Sequence, residues 1–136
     1  MPNRPASRHR RTRNDHASET AEDYVEAIAD VIDQKSQCRA ADLVRHFGVS
    51  AVTVSKTVGR LRDAGLVEAE PYGPLGLTPA GRRLAAKSRR RHETVLEFLR
   101  AIGVSDATAQ VDAEGIEHHV SDETLRRMRA VIKKLG

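Results

Sequence analysis

Between Val49 and Glu68 the chain reads VSAVTVSKTVGRLRDAGLVE, and few folds accept that order of signals. Ser50 is placed to cap a helix, Val54, Val58 and Leu61 recur at helical spacing on an inward face, and Gly65 stops the run. Just upstream, Cys38 to Gly48 reads as a shorter helix carrying Ala41, Leu43, Val44 and Phe47, with Gly48 as its left-handed stop. Two short helices joined by a glycine-containing turn make a helix-turn-helix. Downstream, Leu66 to Leu77 (LVEAEPYGPLGL) gives two extended runs around a tip of Tyr72, Gly73 and Pro74, the pattern of a β-hairpin. Together these predict a winged helix. Its second helix would expose Ser50, Ala51, Thr53, Ser55, Lys56 and Arg60, side chains suited to a DNA groove.

The flanking segments read as helices. Glu19 to about Lys35 sets Tyr24, Ala27, Ile28, Val31 and Ile32 at helical spacing, with Thr20 as N-cap and Asp23 completing a capping-box-like pair. Thr78 as N-cap and Pro79 at the first helical position open a long helix to about Ile102, basic in its first half and carrying Val95, Leu96, Leu99 and Ile102 in its second. Gly103 stops it, Ser105 caps the next helix, and Ser121 or Asp122 caps a last one with Leu125, Met128, Val131, Ile132 and Leu135. Ahead of all this, residues 1–18 are rich in Arg, Asn and Ser without apolar periodicity, which predicts a disordered basic arm. The expected fold is mainly α, divided into the arm (1–18), a winged helix-turn-helix (19–77) and a helical C-terminal domain (78–136).

Charge and cysteine content narrow the setting. The net charge is +4, with Arg4, Arg8, Arg10, Arg11 and Arg13 crowding one segment and Arg82, Arg83, Lys87, Arg89, Arg90 and Arg91 another. Clustered arginine favours nucleic acid, because neutralised phosphates release counterions. The one cysteine, Cys38, excludes an intrachain disulfide framework, and no apolar run is long enough to span a bilayer. A cytoplasmic protein without a membrane partner is expected.

The second chemical signal is DAEGIEHHV, Asp112 to Val120. On a helix, Glu114, Glu117 and His118 share a face and offer two carboxylates and an imidazole, while Ile116 and Val120 lie off that face and can anchor it to a core. A solvated acidic face is the simpler alternative. Asp23 and Glu26 also share a face one turn apart, and for them favourable charge near a helix N-terminus is the simpler explanation. His92 stands between the basic and apolar halves of the long helix.

Five stretches, EDYVEAI, LRDAGLVE, LTPAGRRLA, RRHE and DAEGIEHHVSDET, resemble the manganese-responsive branch of the diphtheria toxin repressor family, and the likeness covers Ala21 to about Lys134. The resemblance implies a C-terminal metal-binding and dimerisation domain whose ligands are Asp23, Glu26, His92, Glu114, Glu117 and His118. It implies Mn(II), one ion or a pair per subunit, and a homodimer that reads a palindromic double-stranded operator and represses manganese uptake genes. Ser50, Ala51, Thr53, Val54 and Lys56 fall on its recognition-helix positions, and Tyr72 and Gly73 on its wing tip. Four carboxylates and two imidazoles suit Mn(II), whereas thiolate or thioether ligands would suit softer ions. Phe98, Leu99, Ile102 and Leu125 are candidates either for the dimer surface or for the monomer core. His119 points about 100° away from His118 and is expected either to back the ligands or to lie at the surface, and Cys38 is expected to be structural. No organic substrate and no catalytic group are implied. A carboxylate-rich enzyme site is disfavoured because Glu-x-x-His pairs are not repeated on a second helix. Winged-helix regulation by iron, zinc or a small organic ligand remains the alternative. The sequence departs from the family in its longer basic arm, in the absence of a third β-barrel domain before Gly136, and in stopping soon after the last helix.

Overall fold

The computed structural model describes the backbone of residues 5–136 and side chains from residue 17 onward. Residues 1–4 lie outside this range, as do the side chains of Arg8, His9, Arg10, Arg11, Arg13 and His16. The elements run α1 (Pro5–Lys35), α2 (Ala40–Phe47), α3 (Ala51–Asp63), β1 (Val67–Ala69), β2 (Leu75–Leu77), α4 (Pro79–Ala101), α5 (Asp106–Ile116) and α6 (Asp122–Leu135). They form two compact units, one of residues 20–86 and one joining residues 87–136 to the chain up to Glu19.

The first unit is the expected winged helix. Tyr24, Val25 and Ile28 from α1, Leu43 from α2, Val54, Val58 and Leu61 from α3, and Val67, Leu75 and Leu77 from the wing share one core. Fully burying each of these aliphatics contributes roughly 1.5–3 kcal/mol. Tyr24 stacks on Phe47 with ring centroids 4.4 Å apart, which fixes α2 against α1. Gly48 adopts φ 65° and closes α2, and Ser50 caps α3 by accepting from the Thr53 N–H at 3.1 Å. The wing is antiparallel, with Val67 opposite Leu77 and Ala69 opposite Leu75, so the apolar residues fall on the core face. Cys38 is fully buried beside β2, where its carbonyl accepts from the Leu75 N–H at 2.7 Å. Burial pushes the Cys38 thiol up to about 11, in keeping with a structural role.

The entry to α2 is held by charge. Asp42 accepts from Lys35 Nζ at 2.7 Å, Arg45 Nη2 at 2.6 Å and the Arg39 N–H at 2.9 Å. The Lys35 bond first, then the Arg39 amide, hold its carboxyl down at about 2. Because the folded value is depressed, the stabilisation is present above the ordinary carboxylate value and is lost as pH falls through about 2. A titration followed by NMR is expected to place the Asp42 midpoint near 2, and Lys35→Ala to raise it. An ordinary midpoint in the unaltered protein would mean that this corner is open in solution.

The second unit has its own core of Val95, Leu96 and Leu99 on α4, Ala109 and Ala113 on α5, and Leu125 on α6, with Phe98, Val104, Ile116, Val120 and Met128 packed around it. The two fully buried alanines let α5 lie close to its neighbours. Gly103 turns the chain at φ 100°, and the Ser121 hydroxyl accepts from the Thr124 N–H to cap α6. Of the four residues with two possible roles, Leu99 and Leu125 are core and Phe98 packs on it, while Ile102 is 53% exposed.

Two expectations about the N-terminal segment are corrected. The helix expected from Glu19 begins at Pro5, so Thr20 is helix interior rather than an N-cap, and most of the supposedly disordered arm (1–18) has helical backbone. Apolar periodicity is not required for this. Ala and Arg are good helix formers, Pro5 is tolerated at the first helical position, and extending a helix already nucleated by packing costs little.

Candidate metal centre and DNA-reading face

The buried stripe of α5 is Ala109, Ala113 and Glu117, spaced four apart. Glu117 is the C-cap of that helix, still in right-handed helical conformation, and it is only 4% exposed. Its Oε2 lies 3.0 Å from Nδ1 of His92 on α4, and its Oε1 lies 3.5 Å from Nε2 of His118. The His118 side chain is itself only 2% exposed, and that of His92 is 23% exposed. Arg91 donates to the Val120 carbonyl and so ties the end of the Glu117–His118 turn back to α4. A carboxylate in such a place costs several kcal/mol to desolvate unless positive charge faces it. A divalent cation held by the same carboxylate and nitrogens would supply such charge. The donor set therefore fits a metal ion.

The other expected ligands differ in placement. Glu114 is exposed on α5, one turn before Glu117, so the shared face expected of Glu114, Glu117 and His118 runs from solvent to core and passes beyond the helix end at Ile116. Asp23 and Glu26 are half-buried on α1, in the first unit. Since α1 starts far upstream of them, helix-dipole attraction, which fades within the first turn, does not account for these two acids. Glu19 went unrecognised in the sequence. Its Oε2 lies 3.5 Å from His119 Nε2, and it brings a carboxylate oxygen within 4.8 Å of a His118 ring nitrogen. The available signal was spacing, because Glu19 precedes Asp23 by four residues. His119 is half-exposed, as expected.

On the DNA side, Ser50, Ala51, Thr53 and Lys56 are exposed on α3 or at its start, and Ser50 Oγ and Thr53 Oγ1 share a hydrogen bond of 2.9 Å. Val54 is corrected: it is fully buried with Val58 and Leu61 on the inward face, so it supports the helix and cannot touch a groove. Val52, 63% exposed beside Thr53, is an apolar side chain suited to a thymine methyl, and its apolar type gives no outward signal in the sequence. At the wing tip Tyr72 is fully exposed with φ 59°, and Arg39 Nη1 donates to its carbonyl at 3.2 Å. Gly73 follows, its N–H donating to the Glu70 carbonyl at 3.0 Å.

Residues 16–75 match the model of the iron-dependent repressor N-terminal DNA-binding domain, and residues 78–136 match that of the iron-dependent repressor metal-binding and dimerisation domain. The chain belongs to the iron-dependent repressor family. It is 44% identical over 127 residues to the transcriptional regulator MntR of Escherichia coli O6:H1, covering 93% of this chain and 82% of that protein. Against MntR of Salmonella typhimurium the identity is 42%, over 93% of this chain and 81% of the relative. A solved manganese-dependent transcriptional repressor in complex with manganese is similar with a TM-score of 0.73 and 32% identity, over 83% of this chain. The chain spans about half of that structure's length, 52%. Family membership thus assigns one winged-helix DNA-binding domain and one helical metal-binding and dimerisation domain. Among the described residues no helix is long and apolar enough to cross a membrane.

Proposed function

We propose that this chain is a Mn(II)-activated transcriptional repressor that binds a palindromic operator as a homodimer and lowers expression of manganese uptake genes. The observation that carries the reading is the buried Glu117 carboxylate between the imidazoles of His92 and His118, within the segment matching the family's metal-binding domain. We assign metal binding to Asp23, Glu26, His92, Glu114, Glu117 and His118, serving one ion or two per subunit. Oxygen-rich, thiolate-free ligation suits Mn(II), although zinc should bind at least as tightly by the usual divalent order, so selectivity rests on geometry and supply.

When bound, the cation supplies the positive charge that turns mutual repulsion among these acids into attraction. The protein does the rest. If Asp23 and Glu26 held the same cation as the C-terminal ligands, α1 would be restrained, and its apolar face forms part of the core that carries α3. Restraint lowers the entropy lost when the recognition helices dock, and DNA tightens metal binding in return. Ser50, Ala51, Thr53 and Lys56 are assigned to the major groove, with Tyr72 and Gly73 at the backbone, and the two recognition helices of a dimer would sit ~34 Å apart or a multiple of that.

The test is operator binding by chelated protein, titrated separately with Mn(II), Fe(II) and Zn(II) beside Glu114→Ala. Binding that appears with Mn(II) and weakens in the variant is expected. Equal affinity with and without metal would sink the proposal.

A further inference from the structure

The six acids and histidines taken up so far leave Glu19 unused, although it lies nearer the buried His118 than its position in the chain suggests. Its carboxylate comes within 4.8 Å of a His118 ring nitrogen, close enough for a small rotation of either side chain to let both hold one cation. On its other edge, Oε2 stands 3.5 Å from His119 Nε2. The side chain is 32% exposed, so it is neither sealed in the core nor free in solvent. Two independent features mark this corner as more than an acidic patch. His118 is buried and carries the second imidazole of the Glu117 pair, and Asp23 follows Glu19 by one helical turn on the same face of α1.

We propose that Glu19 is a further metal-binding carboxylate, adding an oxygen to the ion held by His118; this rests on the metal reading given above. The addition raises the acids of the set from four to five and the hard-oxygen share with it, which favours Mn(II) over softer ions. The rival role for Glu19 is a plain ion pair with His119.

Binding of Mn(II) to the full chain, followed by loss of the free-ion EPR signal, separates the two. Gln keeps the size and helix propensity of Glu at this partly exposed position, and circular dichroism checks that Glu19→Gln remains folded. Glu19→Gln is expected to weaken Mn(II) by about 10-fold or more, while His119→Ala leaves the affinity unchanged. Unaltered affinity in Glu19→Gln overturns the inference, and so does an equal loss in His119→Ala, since the carboxylate would then act only through the imidazole. If the unaltered protein binds no Mn(II), the metal reading itself falls, an outcome distinct from either.

Discussion

With Glu117 replaced by alanine, Mn(II) affinity is expected to fall by about 100-fold or more, and metal-dependent operator binding to disappear with it. Glu117 is the most deeply buried acid of the set and faces two imidazoles. Deleting it removes a buried charge, so the metal-free variant should be destabilised only by the small cavity left behind, about 1 kcal/mol. The contrast appears on adding metal. At a Mn(II) concentration 100 times the unaltered protein's Kd that protein gains about 2.7 kcal/mol, and Glu117→Ala about 0.4 kcal/mol or less. Melting curves with and without Mn(II) measure both quantities. A metal-induced rise of the same size in the variant would show that the ion is held elsewhere.

Gly81→Ala is expected to destabilise the winged-helix unit by about 3 kcal/mol or more, lowering the melting temperature by roughly 10 °C. Alanine is ordinarily the better helix residue by about 1 kcal/mol. Here a Cβ would stand 2.0 Å from the Leu66 carbonyl oxygen and 3.0 Å from its carbon. That carbonyl cannot retreat cheaply. It accepts from the Thr78 N–H at 3.1 Å, while the Thr78 hydroxyl donates to the Gly65 carbonyl at 2.6 Å and accepts from the Gly81 N–H at 3.0 Å. Relief of the clash therefore breaks the cap that joins α4 to the end of α3. Gly115→Ala is the control: its Cβ meets nothing within 4 Å, and the variant should be as stable as the unaltered protein or slightly more so. Equal melting of Gly81→Ala and the unaltered protein would refute this packing.

What the sequence made legible was local. The stops at Gly48 and Gly103, the caps at Ser50, Thr78 and Ser121, and the wing around Tyr72 depend on a few neighbouring residues and stand where they were expected. Depth was less legible. Glu114 and Glu117 look equivalent in DAEGIEHHV, yet one is exposed and the other continues the Ala109–Ala113 stripe into the core. Only the small side chains two turns earlier hinted at that. Thr20 misled because a capping residue caps only where the preceding backbone leaves the helix, and nothing in Arg- and Ala-containing sequence forces it to leave. Val54 joined the DNA-reading set only through the family resemblance, although its spacing with Val58 and Leu61 already turns it inward. Glu19 carries no motif of its own, and its histidine partners lie about one hundred residues away in the chain.

The placement of Cys38 has a kinetic consequence. Only the thiolate reacts with alkylating agents and peroxides, and a thiol held near 11 presents roughly one thiolate in ten thousand at neutral pH. Since Cys38 is fully buried and paired through its backbone to Leu75, a reagent reaches it only after β2 has lifted away. The single sulfhydryl is thus a clock for wing opening: its rate of modification counts local excursions of the hairpin, and a ligand that pins the wing in a groove slows it.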